Sequence, residues 1–420
     1  MILEKNILFL LYNFPPEFGT APKRNRQMVE NFIPLFQHYF IITKKKADRE
    51  KEKSLFEITA FDYRNLLRFF SRSGYVSESV KDNLFSKFFI KLINTFPINV
   101  LIGEGGGLYL WNAYRKASCL IREQGITHIY SSYRPISDHL TAYLLKRKFP
   151  HLSWIADFRD LPIEPHYKLQ FFPDYHHYIY IKIFSRITIM TTVSEGLAKE
   201  LKRYGRPVVP VMNGIKPNFI FPEKQPSEMF SLVYTGSMYG DERNARPLFE
   251  ALKVLINNGS ISREKIKIIY AGKDGIFWNQ IAEQYGMLDR LDNRGVVPSE
   301  VAVSLQEQAC INVLLTMASE KLTGIVTGKY IEYLCAGSPI LCIVKNQNDS
   351  FFVEEFASMN LGISVSDQSE DFEKTICFIQ KIYDSWCKSG YNEKSSFQSK
   401  ILEHYATKRM FSPVESYLIL

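Results

Sequence analysis

The 420-residue chain contains no run of eighteen or more apolar residues, so no segment of it reads as a membrane-spanning helix. It has no Cys-x-x-Cys and no His-Glu-x-x-His, which removes two common zinc signatures. The six cysteines, Cys119, Cys310, Cys335, Cys342, Cys377 and Cys387, are dispersed. That spacing reads as buried thiols of a reducing compartment, with neither a disulfide framework nor a metal site. The eight histidines are scattered as well. His176 and His177 fall in the aromatic stretch FFPDYHHYIYIKIF, which reads as helix surface. A dinucleotide fingerprint of the form G-x-G-x-x-G is missing too. In TGIVTGK, Gly324 and Gly328 enclose only three residues, and Tyr330 stands where a Walker loop requires Ser or Thr. An ATPase or kinase is therefore disfavoured. The basic residues form no recognised nucleic-acid-reading motif. The N-terminal MILEKNILFLLYNFPPEFG has a short apolar centre, Ile7 to Leu11, preceded by Glu4 and followed by no small-residue cleavage site. It predicts a buried first strand rather than a secretory leader.

What is present is ordinary for a globular chain of two domains: 46% hydrophobic and 23% charged residues. The net charge of +8 is unevenly spread. Residues 1–216 carry 32 Lys and Arg against 19 Asp and Glu, or +13, which leaves 20 against 25, or −5, for the remainder. A basic half beside a mildly acidic half suggests two domains that meet different partners.

Apolar runs at 6–12, 38–43, 128–132, 153–158, 187–193 and 208–213 predict strands, and amphipathic stretches at 23–36, 108–125 and 138–149 predict helices. Strand–helix alternation at this spacing implies a parallel sheet covered on both faces. The proline-rich stretch 216–231 reads as a linker. The alternation then restarts, with strands at 232–236, 266–272, 294–297, 311–316 and 339–344 and helices near 244–257, 277–286, 299–309 and 328–336. The fold class is thus α/β, two doubly wound units with a cleft between them.

In open α/β sheets ligands bind beyond the carboxyl ends of strands, where loops enter helices. Four loops qualify. FPPEFGTAPKRNR, 14–26, offers Gly19 and the basic residues Lys23, Arg24 and Arg26, either toward a ligand or as a solvated face. SWIADFRDLP, 153–162, ends a strand in Asp157, Arg159 and Asp160, either a structural ion pair or a polar cluster open to an acceptor. YTGSMYGDERNAR, 234–246, supplies Gly236 and the arginines Arg243 and Arg246, for a diphosphate or as helix-surface charges. TGIVTGKYIEYLCAGSPILCIV, 323–344, leads a Gly/Thr loop into a helix whose first amides favour phosphate. Glu332 lies one turn inside, and Gly337 stops the helix. The GEGGG run, 103–107, reads as a flexible connector.

Taken in order, WNAYRKASCLIREQGITHIYSSYRPISDHLTAYLLKRKFPHLSWIADFRDLP, TTVSEGLAKEL, VVPVMNGI, LVYTGSMYGDERNARPLFEAL, RGVVPSEVAVSLQEQACINVLL and GKYIEYLCAGSPILCI resemble glycosyltransferase family 4, retaining transferases of the GT-B fold. The resemblance implies two Rossmann-like domains, an acceptor-binding one at 1–220 and a donor-binding one at 221–400. It also implies a C-terminal helix, 401–420, that packs back on the first. Glu332 matches the glutamate that holds the nucleoside ribose. Arg294 to Val297 would edge the base, and Thr327, Gly328 and Lys329 would meet the diphosphate. Gly19 would approach the donor phosphates from the opposite domain, while Gly236 and Arg243 would line the first donor-domain loop. Asp157, Arg159 and Asp160 would be the catalytic, acceptor-side cluster. Two positions depart from the family pattern. Gly324 stands where a second glutamate lies eight residues before the ribose-binding one, with Glu320 near but out of register. Ser237 stands where arginine usually follows the glycine.

The activity so implied is transfer of a sugar from a nucleotide-diphosphate sugar to a glycan or lipid-linked acceptor, with retention and without a metal or other cofactor. It fits bacterial surface-polysaccharide synthesis in the cytoplasm. The interleaved aromatic and basic residues of 61–97 suggest peripheral contact with anionic membrane. Nucleic acid is not an expected partner. A sugar-nucleotide epimerase of the same fold and a catalytically silent glycan-binding relative are the alternatives, the latter kept open by Gly324.

Overall fold

The computed structural model describes residues 3–17, 19–46, 53–60, 88, 91–103, 105–163, 170–238, 243–318, 323, 324, 326, 328–394 and 398–419. The chain divides into two compact units, Met1–Met212 with Phe411–Leu420, and Asn213–Met410. Most of the segment expected to touch membrane, 61–97, lies outside the described residues, as do Thr327 and Glu320. No helix among the described residues is long and apolar enough to cross a membrane.

In the first unit, seven parallel strands run in the order β3-β2-β1-β4-β5-β6-β7. They are β1 (Leu3–Leu10), β2 (Phe36–Lys44), β3 (Leu55–Ile58), β4 (Ile126–Tyr133), β5 (Ser153–Phe158), β6 (Ile189–Thr192) and β7 (Val208–Pro210). The helices relevant here are α1 (Thr20–Phe32), α2 (Ile98–Leu101), α3 (Gly106–Glu123), α4 (Ile136–Lys148), α5 (Pro173–Phe184) and α6 (Glu195–Leu201). The continuous apolar run of β1 follows from burial on both faces. Leu8 and Leu10 join the core built with α3 and α4, while Ile7 and Phe9 join the core built with α1. The last turns of the chain complete that second core: Phe411, Val414 and Leu418 pack in it, with Phe411 edge-on to Phe32 at 4.7 Å.

The second unit holds six parallel strands in the order β10-β9-β8-β11-β12-β13. These are β8 (Phe230–Thr235), β9 (Ile266–Ala271), β10 (Leu291–Asn293), β11 (Ile311–Met317), β12 (Ile340–Lys345) and β13 (Gly362–Ser366). Helices α7 (Arg246–Asn257), α8 (Gly275–Gln284), α9 (Ser299–Gln308), α10 (Gly328–Ala336), α11 (Ser350–Met359) and α12 (Phe372–Ser389) connect and cover them. Both sheets have the doubly wound order, whose connections reverse direction beside the first strand of each unit: β1/β4 and β8/β11. The strand expected at 294–297 is displaced to Leu291–Asn293, a half-buried edge strand whose single apolar residue, Leu291, is too little for an apolar signature.

Several expectations are corrected by burial. All six cysteines are free, but Cys119, Cys377 and Cys387 are exposed, because they lie on the outer faces of α3 and α12. His176 is wholly buried and accepts the Phe96 N–H at 3.1 Å, so it belongs to the interior of the first unit. Gly105 and the residues after it are a built helix start. Gly105 has φ 82 before α3, and a Cβ there would collide with Tyr12 and Tyr109.

The first unit should be acid-sensitive. Burial holds the His139 imidazole down to about 3, against the pull of Asp157, and burial with the Lys5 charge holds His128 down to about 4. Both folded values lie below the 6.5 of an unconstrained histidine, so the unfolded chain takes up protons that the folded one refuses. Stability is therefore full above about pH 6.5 and falls below it, by about 2 kcal/mol per histidine at pH 5. Urea unfolding of His139→Gln between pH 7 and 5 should show a smaller pH dependence than wild type, though not none, because burial also holds His128, His176 and His177 down. An unchanged slope would refute the assignment.

Candidate functional site

The Thr235–Gly236 end of β8 lies at the strand-order reversal of the second unit, and α10 begins after β11 on the other side of it. Side chains from both segments, and from α9, meet there. Lys329 and Glu332, one turn apart on α10, form an ion pair with Nζ to Oε2 at 3.0 Å. The Lys329 stem passes over Gly236, where a Cβ would come within 3.4 Å of Lys329 Cε. Gly236 has φ 138, a conformation that side-chain-bearing residues avoid. The backbone angle, rather than lack of space, is what calls for glycine beside the lysine.

Glu332 Oε2 also accepts from Gln306 Nε2 at 3.3 Å. Gln306 is wholly buried on α9, and the same Nε2 donates to Thr235 Oγ1 at 2.7 Å. Thr235 is tied in turn to α10, since its N–H donates to Tyr333 Oη at 3.1 Å. Lys394 locks the far ends of the two helices. Its Nζ donates to Glu307 O of α9 at 2.5 Å and to Ala336 O of α10 at 2.9 Å. Burial holds that ammonium down to about 8. The carboxylate of Glu332 is therefore set from both ends of a fixed helix pair.

The loop after β8 is shaped from beneath. Arg243 Nη1 donates to Ser237 O at 2.6 Å and to Tyr234 Oη at 3.1 Å, and Asp274 Oδ2 accepts the Met238 N–H at 2.7 Å. Arg243 thus braces the loop through a carbonyl, whereas Arg246 is exposed at the start of α7. Arg294 pairs with Asp292 at 3.0 Å, and its N–H closes on Tyr270 O at 2.9 Å. Val297 packs against the cluster of Val233, Ile269 and Leu305, so 294–297 is a fixed loop beside β9. Gly324, at the departure from the family pattern, is buried with φ 67, and its N–H donates to Asp349 Oδ2 at 2.7 Å. A buried carboxylate from the next connection therefore secures that loop. Gln306, Asp274 and Asp349 were not singled out in the sequence, since nothing local distinguishes a bracing amide or carboxylate from a surface one.

The first unit departs from the sequence reading. Arg24, expected near a ligand or on a solvated face, is buried and makes a bidentate pair with Asp157, Nε to Oδ2 at 2.8 Å and Nη2 to Oδ1 at 2.6 Å. Thr191 Oγ1 donates to the same Oδ1 at 2.7 Å, and Arg24 Nη1 donates to Val211 O at 2.8 Å. Burial alone pushes the Asp157 carboxyl up, but the Arg24 charge and these hydrogen bonds bring it below the ordinary value. Asp157 is thus a sealed structural group, correcting its place in an acceptor-facing cluster. Arg159 does not complete that cluster either, because its Nε and Nη2 donate to Tyr133 O at 2.9 Å and Arg134 O at 3.3 Å, closing the end of β4. Asp160 remains half-buried beyond β5. Gly19, φ 129, opens α1. Among the described residues, no group of three or more His, Cys, Asp or Glu is arranged to hold a metal ion.

No family model matches the chain, and no curated protein does. Solved structures do match along nearly its whole length. Sucrose-phosphate synthase from Thermosynechococcus elongatus superposes with a TM-score of 0.62 at 12% identity, covering 98% of each chain. A glycosyltransferase from Rickettsia africae gives 0.59 at 13%, covering 99% of this chain and 98% of that one. A TarM variant from S. aureus, in complex with UDP, Fondaparinux and alpha-GlcNAc-glycerol, gives 0.59 at 9%, covering 98% and 99%. The chain has the GT-B fold of these proteins, with two Rossmann-like domains.

Proposed function

We propose that the protein is a glycosyltransferase that takes a sugar from a nucleotide diphosphate and passes it to a glycan or lipid-linked acceptor. The observation that carries this reading is the group Gly236, Lys329 and Glu332 at the strand-order reversal of the second unit. A carboxylate held rigidly one turn into a helix suits a ribose diol, which donates two hydrogen bonds. The ammonium beside it and the first amides of α10, with Thr327 and Gly328, suit the diphosphate that leaves as negative charge develops. The loop 294–297 would border the base. Acceptor binding belongs in this reading to the first unit, with Asp160 as the remaining carboxylate to orient the acceptor hydroxyl. Retention of configuration accords with the family resemblance.

Thermal stabilisation by UDP, GDP, ADP, CMP and dTDP, each free and as its sugar conjugate, tests the reading. One base should stabilise the protein by several degrees at millimolar ligand. No shift with any of them would sink the proposal.

A further inference from the structure

We infer that Gln306 is a positioning residue for the nucleoside, setting Glu332 to discriminate a ribose from a sugar that lacks its hydroxyls. This rests on the nucleotide reading above. A carboxylate oxygen can only accept, so the Gln306 amide must present its NH2 group to Glu332 Oε2, and the same nitrogen reaches Thr235 Oγ1. That orientation leaves Gln306 Oε1 buried without a hydrogen-bond partner among the described residues. An unpaired buried carbonyl is costly. The amide is retained for what its donor side does.

What it does follows from the alternatives open to Glu332. Its carboxylate sits one turn into α10, with Lys329 three residues earlier as an ion-pair partner. An ion pair between two flexible, half-buried side chains of one helix does not by itself fix the orientation of the carboxylate. Gln306 comes from another helix and is immobile by burial, and its link to Thr235 at the end of β8 anchors the carboxylate to the sheet. Glu332 Oε2 is thereby held against the strand end, and the orientation of the carboxylate toward a diol is set before ligand arrives. The diphosphate, neutralised by Lys329 and helix amides, needs no such orientation. Removing Gln306 should therefore cost ribose recognition selectively.

The experiment is calorimetric titration with UDP, GDP and ADP, each paired with its 2′,3′-dideoxy analogue, on wild type, Gln306→Met and Gln306→Glu. Methionine keeps the volume and removes the donor, while glutamate keeps the length and places a like charge beside Glu332. Wild type should favour one ribonucleotide over its dideoxy analogue by at least about tenfold. Both variants should bring that preference to about threefold or less, with affinity for the dideoxy analogue unchanged within about twofold. Circular dichroism confirms that each is folded, and either variant suffices. An undiminished preference in a folded variant overturns the role of Gln306 while leaving the nucleotide reading intact. Equal loss of affinity for both ligands assigns Gln306 a general structural part and also overturns it. If wild type binds none of the nucleotides, the nucleotide reading itself has failed, and the role of Gln306 falls with it.

Discussion

Asp157→Ala should destabilise the first unit by about 3–5 kcal/mol. The loss does not measure the attraction of the pair. It arises because the Arg24 guanidinium would remain buried without its carboxylate, since Arg24 and Asp157 are only 2% and 0% exposed. Thr191 would also lose its acceptor. Denaturant unfolding reads the effect directly. Two companions sharpen it. The double variant Arg24→Met with Asp157→Leu, which removes both charges, should recover much of the lost stability, as buried pairs replaced by apolar groups often do. Asp157→Asn keeps the shape and, if the proposed function holds, should reduce sugar transfer only as far as it reduces the folded fraction. A stable Asp157→Asn protein without transferase activity would return Asp157 to the catalytic group and defeat the structural assignment.

On the proposed function, Glu332→Ala should weaken binding of the preferred ribonucleoside diphosphate by about 2–3 kcal/mol, roughly 30- to 150-fold. Hydrogen bonds from neutral hydroxyls to a charged carboxylate lie at this level, and the carboxylate is already oriented by Lys329 and Gln306. Inorganic pyrophosphate supplies the contrast. It has no ribose, and the substitution frees Lys329 from its ion pair, so pyrophosphate should bind as well or better. The two ligands thus move in opposite directions under one substitution. A parallel fall in both would mean that Glu332 shapes the loop instead of meeting the sugar. Folding is not expected to be the obstacle, because Glu332 is about a quarter exposed and its ion-pair partner Lys329 is more exposed still.

The sequence by itself determined the alternating α/β order, most strand and helix positions and the helix 328–336, whose bounds match the structure. The reason is physical. A strand buried on both faces must be apolar along its whole length, and a helix entered through Gly and stopped by Gly337 is marked by its own residues. The end of β8 and the start of α10 were legible as candidate positions because glycines and charges follow apolar runs there. The three-residue edge strand Leu291–Asn293 was misplaced because so short a segment carries little pattern, and β3, α11, β13 and the amphipathic α12 were not anticipated.

Only the tertiary structure decided which charges meet. Arg24 and Asp157 are 133 residues apart, and strand order brings α1 over the end of β5. Arg159, adjacent in sequence to Asp160, instead spends its donors on carbonyls at the end of β4. Gln306 and Glu332, separated by 26 positions, become partners because α9 packs on α10 across the end of β8. Periodicity reports whether a side chain faces the core, but not which distant group will be waiting there to satisfy it.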